Sequence, residues 1–360
     1  MTVVDVDVRG SDFAGLCRQV RATGLLDRRY GYYAARVGLL LAALAAEIAA
    51  VVVIGDSWYQ ALSAVTLGLV LTQIAFVGHD AGHQQIFRRR RLNDATGVVA
   101  GNLLVGLSYG WWVDEHTRHH THPNHEEHDP DIAESVLAFT RGQAAERSGA
   151  LRFIAKHEAR LFFPLLTLEG WNLHVSAAQH LLGGRGVRYP RAEKALLAVH
   201  LVALVALPML VMSPVKAVVF ILISQAVFGV YMGCSFAPNH KGMPTVREGN
   251  GLDFLRRQVL TSRNIRGGPF VDVLLGGLNY QIEHHLFPSM PSSALRAAKP
   301  IVERYCAEIG VLYTETSLLE SYRIALRHLH DVGTPIRDVQ VEVLEPEAEL
   351  VSAGPDSGRR

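Results

Sequence analysis

Cysteine is scarce in this 360-residue chain, and Cys17, Cys234 and Cys306 lie far apart with no CxxC pair. That excludes a cysteine-ligated iron–sulfur cluster within the chain and gives no disulfide framework. No GxGxxG follows a strand-like run, so a dinucleotide fold has no footing. Charge of one sign is missing as well: 35 Lys and Arg against 34 Asp and Glu leave a formal net charge of +1. A nucleic-acid partner, which requires a basic field, is therefore not expected. The opening residues, MTVVDVDVRGSDFAGLCRQVRATG, mix acids with bases around no apolar core and do not read as a signal peptide. Any redox chemistry must draw its electrons from elsewhere.

Apolar residues are abundant, at 49%, and they fall in long runs. Four stretches approach the ~20 residues that span a bilayer: about 33–54, 58–77, 195–212 and 215–236. The connections "GDS" at 55–57 and "SP" at 213–214 are too short for anything but antiparallel hairpins, so both ends of each hairpin face one side. Lys216 is the one basic residue at the outer turns, whereas Arg18, Arg21, Arg28, Arg29, Arg88 to Arg91, Lys241, Arg247, Arg256, Arg257, Arg263 and Arg266 flank the other ends. The positive-inside rule puts that flank in the cytoplasm, and the expected location is the cell (plasma) membrane. The expected fold is an all-α integral membrane protein: four transmembrane helices in two hairpins with a cytoplasmic helical cap. Residues 1–32 form a cytoplasmic N-terminal segment, 33–334 the membrane domain and 335–360 a disordered tail. The run 95–113, with four glycines, reads as a buried or interfacial helix. The stretch 150–182 reads as an amphipathic helix on the membrane surface.

Eight of the 17 histidines fall in four places on that side: "HDAGH" (79–83), "HTRHH" (116–120), "PNH" (238–240) and "QIEHH" (281–285). His79 and His83 are i, i+4, and His116, His119 and His120 are i, i+3, i+4. Gln281, His284 and His285 repeat that pattern. On a helix these intervals bring side chains onto one face. With His240 they make eight candidate imidazole ligands, which suit two ions better than one, since a tetrahedral site takes about four ligands. Imidazole alone does not name the metal. His157, His174, His180, His200, His328 and His330 read as structural. Pro123 breaks the helix after "HTRHH", so His122, His125 and His128 belong to a loop and are not expected as ligands. A soluble-type di-iron bundle is excluded, because no glutamate stands three residues before any histidine. A His-rich metal transporter, the alternative from another class, would place its ionisable ligands at mid-membrane. The spans hold few such groups, namely Arg36, Glu47 and His200.

"HDAGH", "HTRHH" and "QIEHHLFPSMP", in that order around two apolar hairpins, resemble the histidine boxes of membrane fatty-acid desaturases. The likeness runs over about residues 30–310, and the Gln in the third box is similar to the acyl-CoA and front-end branch. The resemblance implies oxygen-dependent desaturation of a long-chain acyl-CoA or acyl-lipid at a di-iron centre (Fe2+/Fe3+) with O2 as co-substrate. The implied ligands are His79, His83, His116, His119, His120, His240, His284 and His285. Gln281 is a candidate weak ligand, and Asp80 and Asn239 are candidates to support the ligands. Asp80, Glu115 and Glu283 neighbour the boxes and are candidates to orient imidazoles, and Asp129 and Asp131 to steady the site. A hydroxylase or hydrocarbon monooxygenase on the same scaffold is the closer alternative. Some relatives fuse a cytochrome domain with an "HPGG" sequence, which this chain does not contain. A separate ferredoxin- or reductase-type donor is therefore expected, beside the acyl substrate and membrane lipid. The run at Arg88–Arg91 reads as a positive-inside anchor, or else as a landing site for the donor or for coenzyme A phosphates. Trp111 and Trp112 read as interfacial anchors or as lining of the acyl entrance.

Overall fold

The computed structural model describes residues 11–133, 136–183 and 186–337, and almost all of the expected tail lies outside them. Four helices are long and apolar enough to cross a membrane: α2 (Tyr30–Ile54), α3 (Gln60–Gly82), α9 (Pro190–Val211) and α10 (Pro214–His240). The chain is an all-α membrane protein. Pro190 and Pro214 open α9 and α10, where the missing N–H costs nothing and the fixed φ favours the helix. The two hairpin turns are tied to each other, because Asp56 accepts from Ser213 N (2.8 Å) and Ser213 Oγ (2.9 Å). Lys216, the lone cation expected on that side, pairs with the same aspartate at 3.1 Å.

Both helices that carry histidines outrun their apolar stretches. α3 continues to Gly82 and α10 to His240, so "HDAGH" is the last turn of a span and not a new start. Where α3 crosses α10, a Cβ at Gly68 would come within 2.8 Å of Ser224 O and of Val227. Only glycine permits that approach. Towards the histidine end Phe76 and His79 of α3 and Met232 and Phe236 of α10 line a space between the two helices.

Two segments enter that space from the cap. The first is α4 (Arg90–Val98), which runs on as a π-helix (Val99–Val105), turns at Gly106 and returns as α5 (Tyr109–Thr121). It does not cross, so the histidine groups on either side of it meet on one face. Gly106 has φ +84°, and a Cβ there would lie 2.4 Å from His200 and 2.6 Å from His174. Backbone buried at this depth needs partners. His174 Nδ1 lies 2.8 Å from Gly106 O, His200 Nδ1 3.0 Å from Leu103 O, and His174 Nε2 3.0 Å from Gln225 Oε1. Ser108 caps α5 by accepting from Trp111 N at 3.2 Å, and the buried Glu193 accepts from Ser108 Oγ at 2.8 Å and Gly110 N at 3.0 Å.

The second entering segment corrects the reading of 150–182 as a surface helix. After the short α6 (Arg141–Glu146), α7 (Gly149–Leu166) and α8 (Glu169–Gly183) form a hairpin whose tip packs against Gly229. Gly229 lies 11 residues before His240, about 16 Å down α10. Gly170, His174, Ala177 and Leu181 of α8 are buried, a stripe at helical spacing that seeks protein and not headgroups.

The cap closes over these ends. α1 (Asp12–Ala22), α11 (Phe254–Leu260), α13 (Gln281–Leu286) and α14 (Ser292–Glu308) share a core that includes Leu16, Val20, Val259, Ile282, Leu286 and Met290. A two-residue parallel pairing of β1 (Asn264–Ile265) with β2 (Glu315–Thr316) stitches it. α12 (Pro269–Leu274) lies beside α3 and α10, and α15 (Leu318–Val332) packs on α7. Ile336 is buried with Ala138, Ala155 and Val332, so the packed cap continues past the expected boundary at 335.

Candidate metal centre

Four elements deliver the candidate ligands: the end of α3, the second half of α5, the last residue of α10 and the short α13. α13 has only six residues and is held from outside. Asn264 Oδ1 accepts from Ile282 N at 2.9 Å, while Ile282 and Leu286 anchor in the cap core. The opposite face carries Gln281, His284 and His285 inward, all buried.

The eight histidines come together in one chamber. His79, His83, His116 and His284 can each offer a ring nitrogen within 4.8 Å of the others, and so can His119, His240 and His285. His120 stands at the junction, with its ring stacked 4.1 Å from His285, 4.5 Å from that of His83 and its Nε2 3.1 Å from His116 Nε2. Seven of the eight thus fall into two groups, each of which could hold an ion.

The direction of each ring decides what the chamber can do. In several of these histidines Nδ1 meets a protein acceptor while Nε2 points inward. His79 Nδ1 lies 3.3 Å from Asp80, His119 Nδ1 3.0 Å from Asp129, His240 Nδ1 3.1 Å from Thr261 O and His285 Nδ1 2.9 Å from Gln258 Oε1. His79 Nε2, His83 Nε2, His120 Nδ1, both nitrogens of His284 and His285 Nε2 are buried without a protein partner. Buried polar atoms are normally satisfied, so converging orphan nitrogens are the signature of metal ligands, oriented by the bond that each makes on its far side. Burial, and then the neighbouring histidines, push His116, His120, His284 and His285 well below the ordinary imidazole value. They are neutral at pH 7 with lone pairs available. The residues fit a pair of metal ions.

The supporting residues are only partly those expected. Asp80 does approach His79, and it is held in turn by Ser292 Oγ (2.8 Å), Tyr33 (3.1 Å) and Arg36 (3.3 Å). Glu115 instead pairs with Arg118. Glu283 points away from the metals and accepts from Asn264 Nδ2 at 2.7 Å and Tyr313 at 2.8 Å. Burial pushes its carboxyl up to about 7. Asn239 donates to Gln281 Oε1 at 3.1 Å and to Leu278 O at 3.1 Å. Its place is to hold Gln281, whose amide nitrogen stands 2.9 Å from His240 Nε2. Gln258 was not legible in the sequence: it lies 27 residues from His285 and also donates to His120 O at 2.9 Å. His122, His125 and His128 form a separate ring cluster, in which His125 pairs with Glu127 at 3.0 Å.

An apolar pocket starts at His79 and runs down between α3, the π-helical segment and α10. Phe76, Gly101, Val105, Leu107, Met232 and Phe236 line it. Trp112 forms part of its wall and stacks on His116 at 4.4 Å; Trp111 instead packs among Ala177, Leu181 and Leu197.

The sequence matches the fatty acid desaturase family over residues 56–317. The chain belongs to that family. It is similar to the Delta(8)-fatty-acid desaturase of Helianthus annuus, 28% identical over 91% of this chain and 74% of that protein. It is 31% identical to the Delta(6)-fatty-acid desaturase fat-3 of Caenorhabditis elegans, covering 78% of this chain and 66% of the relative. The Acyl-lipid (9-3)-desaturase of Physcomitrium patens is 29% identical over 88% of this chain and 62% of its own length. The desaturase is thus an oxidoreductase of lipid metabolism acting on a fatty acyl chain. That leaves the transporter reading without support.

Proposed function

We infer that the desaturase holds two iron ions: one on His79, His83, His116 and His284, the other on His119, His240 and His285, with His120 between them and Gln281 beside the second. The observation that carries this reading is the convergence of imidazole nitrogens in two groups, with those of His79, His83, His284 and His285 left without a protein partner. The substrate is a long-chain acyl-CoA or acyl-lipid whose tail occupies the pocket below His79. With O2 and two electrons, the iron pair supplies the oxidising power needed to remove hydrogen from an unactivated methylene. The chain's own residues do the rest. Asp80, Asp129, Gln258 and the Thr261 carbonyl fix the ring orientations, the apolar walls exclude water, and Trp112 holds His116 against the pocket mouth. The electron donor in this reading is a separate ferredoxin- or reductase-type protein. The cap faces the cytoplasm, which the arginine bias favours, and the spans lie in the plasma membrane.

The test is expression in a host lacking polyunsaturated lipids, with fatty-acid methyl esters profiled and iron counted per protein. About two irons per chain and a new unsaturated species, both lost in His284→Ala, are expected. An unchanged profile from iron-loaded protein given a competent donor and several chain lengths would sink the reading.

A further inference from the structure

A second apolar recess lies on the other side of α3 from the acyl pocket. It is a groove of about 350 Å3 between α2 and the α4–π-helical segment. Val37 and Leu41 form one wall, Val99 and Leu104 the other, and Ile74 and Val77 the floor. Leu41 is 48% exposed and Val99 45%, so the groove opens outward along the spans. Directly above it stands the arginine run. Asn93 is buried and folds the chain at 86–89 by accepting from Phe87 N at 3.0 Å and donating to Phe87 O at 2.8 Å. That turn presents Arg88 to Arg91, all exposed, at the start of α4. Phe87 touches Tyr30 at the top of α2, at 6.2 Å between rings, so the run caps the same cleft that α2 walls below. Asp94 is already engaged by Arg188 at 2.8 Å and is 3.9 Å from Arg90. Among the described residues, Arg88, Arg89 and Arg91 have no ion-pair partner.

The geometry points to a binding site for one anionic glycerophospholipid, with its phosphate on Arg88, Arg89 and Arg91 and one acyl chain in the groove. The charge calls for an anion, and an apolar channel continuing from it along the spans calls for a hydrocarbon tail on that same anion. Juxtamembrane arginines of this number attract acidic headgroups. A soluble phosphate would leave the groove unfilled, and a protein donor would not follow it down. The lipid is a ligand and not the substrate. Ile74 and Val77 face the groove while Ala75, Gly78 and His79 face the acyl pocket, so α3 separates the bound chain from the metals. Its use is structural support: α2 is the least buried of the four spans, and a bound chain would seat it against the wall of the acyl pocket.

The test places a reporter in the groove. Full-length Leu41→Trp is reconstituted in phosphatidylcholine vesicles holding a small fraction of lipid brominated on its chains, either phosphatidylglycerol or phosphatidylcholine. Fluorescence is compared with the wild-type protein, whose own tryptophans give the background. Brominated phosphatidylglycerol should quench the new tryptophan with about tenfold preference over brominated phosphatidylcholine. Plain phosphatidylglycerol should relieve the quenching, and soluble glycerol phosphate should not. Arg88→Gln/Arg89→Gln/Arg91→Gln in the same background should abolish the preference, and Val99→Phe should lower quenching by both lipids. Equal quenching by the two lipids in Leu41→Trp overturns the proposal without recourse to the other variants. So does a preference that survives loss of the three arginines, or relief by glycerol phosphate.

Discussion

The desaturase has two buried regions built from histidine, and they behave differently. In the metal chamber, imidazoles converge and leave nitrogen atoms without protein partners. At the Gly106 turn, His174 spends both nitrogens on Gly106 O and Gln225, and His200 spends one on Leu103 O and leaves Nε2 unpartnered but outside any converging group. The first region is a set of groups that could hold a cation, and the second is a polar knot that lets irregular backbone exist at membrane depth. Histidine density does not separate these roles. The direction of the spare lone pairs does.

The contrast is broken most directly by exchanging the two kinds of residue. His284→Ala should abolish desaturation and strip iron, read by metal analysis and methyl-ester profiles, with helical content kept. Retention of two irons would erase the distinction. Asp129→Asn keeps the size of the group but weakens its hold on His119, so metal affinity should fall about 10–100-fold in a chelator competition. His174→Ala should act the other way. It leaves buried polar groups unmatched at the turn and should cost about 2–3 kcal/mol in thermal unfolding, with unchanged iron per folded molecule. Acid sharpens the comparison further. His116, His120, His284 and His285 are held well below the ordinary 6.5 chiefly by burial. The unfolded chain therefore takes up protons near 6.5 that the folded chain refuses. Metal-free protein should have its full stability above that value and lose it progressively as pH drops below. Smallest is Glu158→Gln, far from either region. Burial raises the Glu158 carboxyl to about 7 from its ordinary 4.5. Ionisation in the unfolded state alone costs stability as pH rises between those values. The glutamine should raise the melting temperature at pH 8 and leave it unchanged at about pH 3.5, below both values.

The spans, their pairing and the eight inward histidines were all legible, because apolar run length and i, i+3, i+4 spacing are local signals. The residues behind the histidines were less so. Asp80 and Asp129 could be suspected from position, but Gln258 and the Thr261 carbonyl reach His285 and His240 through tertiary folding alone. Glu115 and Glu283 show the converse. Both are adjacent to ligands in sequence and turned away from them in space, since neighbouring helical positions point about 100° apart. The segment 150–182 misled because a stripe facing α10 inside the membrane has the same period as one facing headgroups. The tail from 338 lies outside the described residues.

One consequence concerns timing during synthesis. The chamber draws its candidate ligands from His79, the first of the eight in sequence, to His285, the last, and the first group already needs His284. A ribosome makes the two ends of that span about 10–40 s apart. Until then α3, α5 and α10 carry imidazoles toward a space with no fourth wall. In the proposed reading a metal pair can therefore be completed only after α13 is made, and a nascent chain stopped before α13 should reach the membrane but hold no such pair.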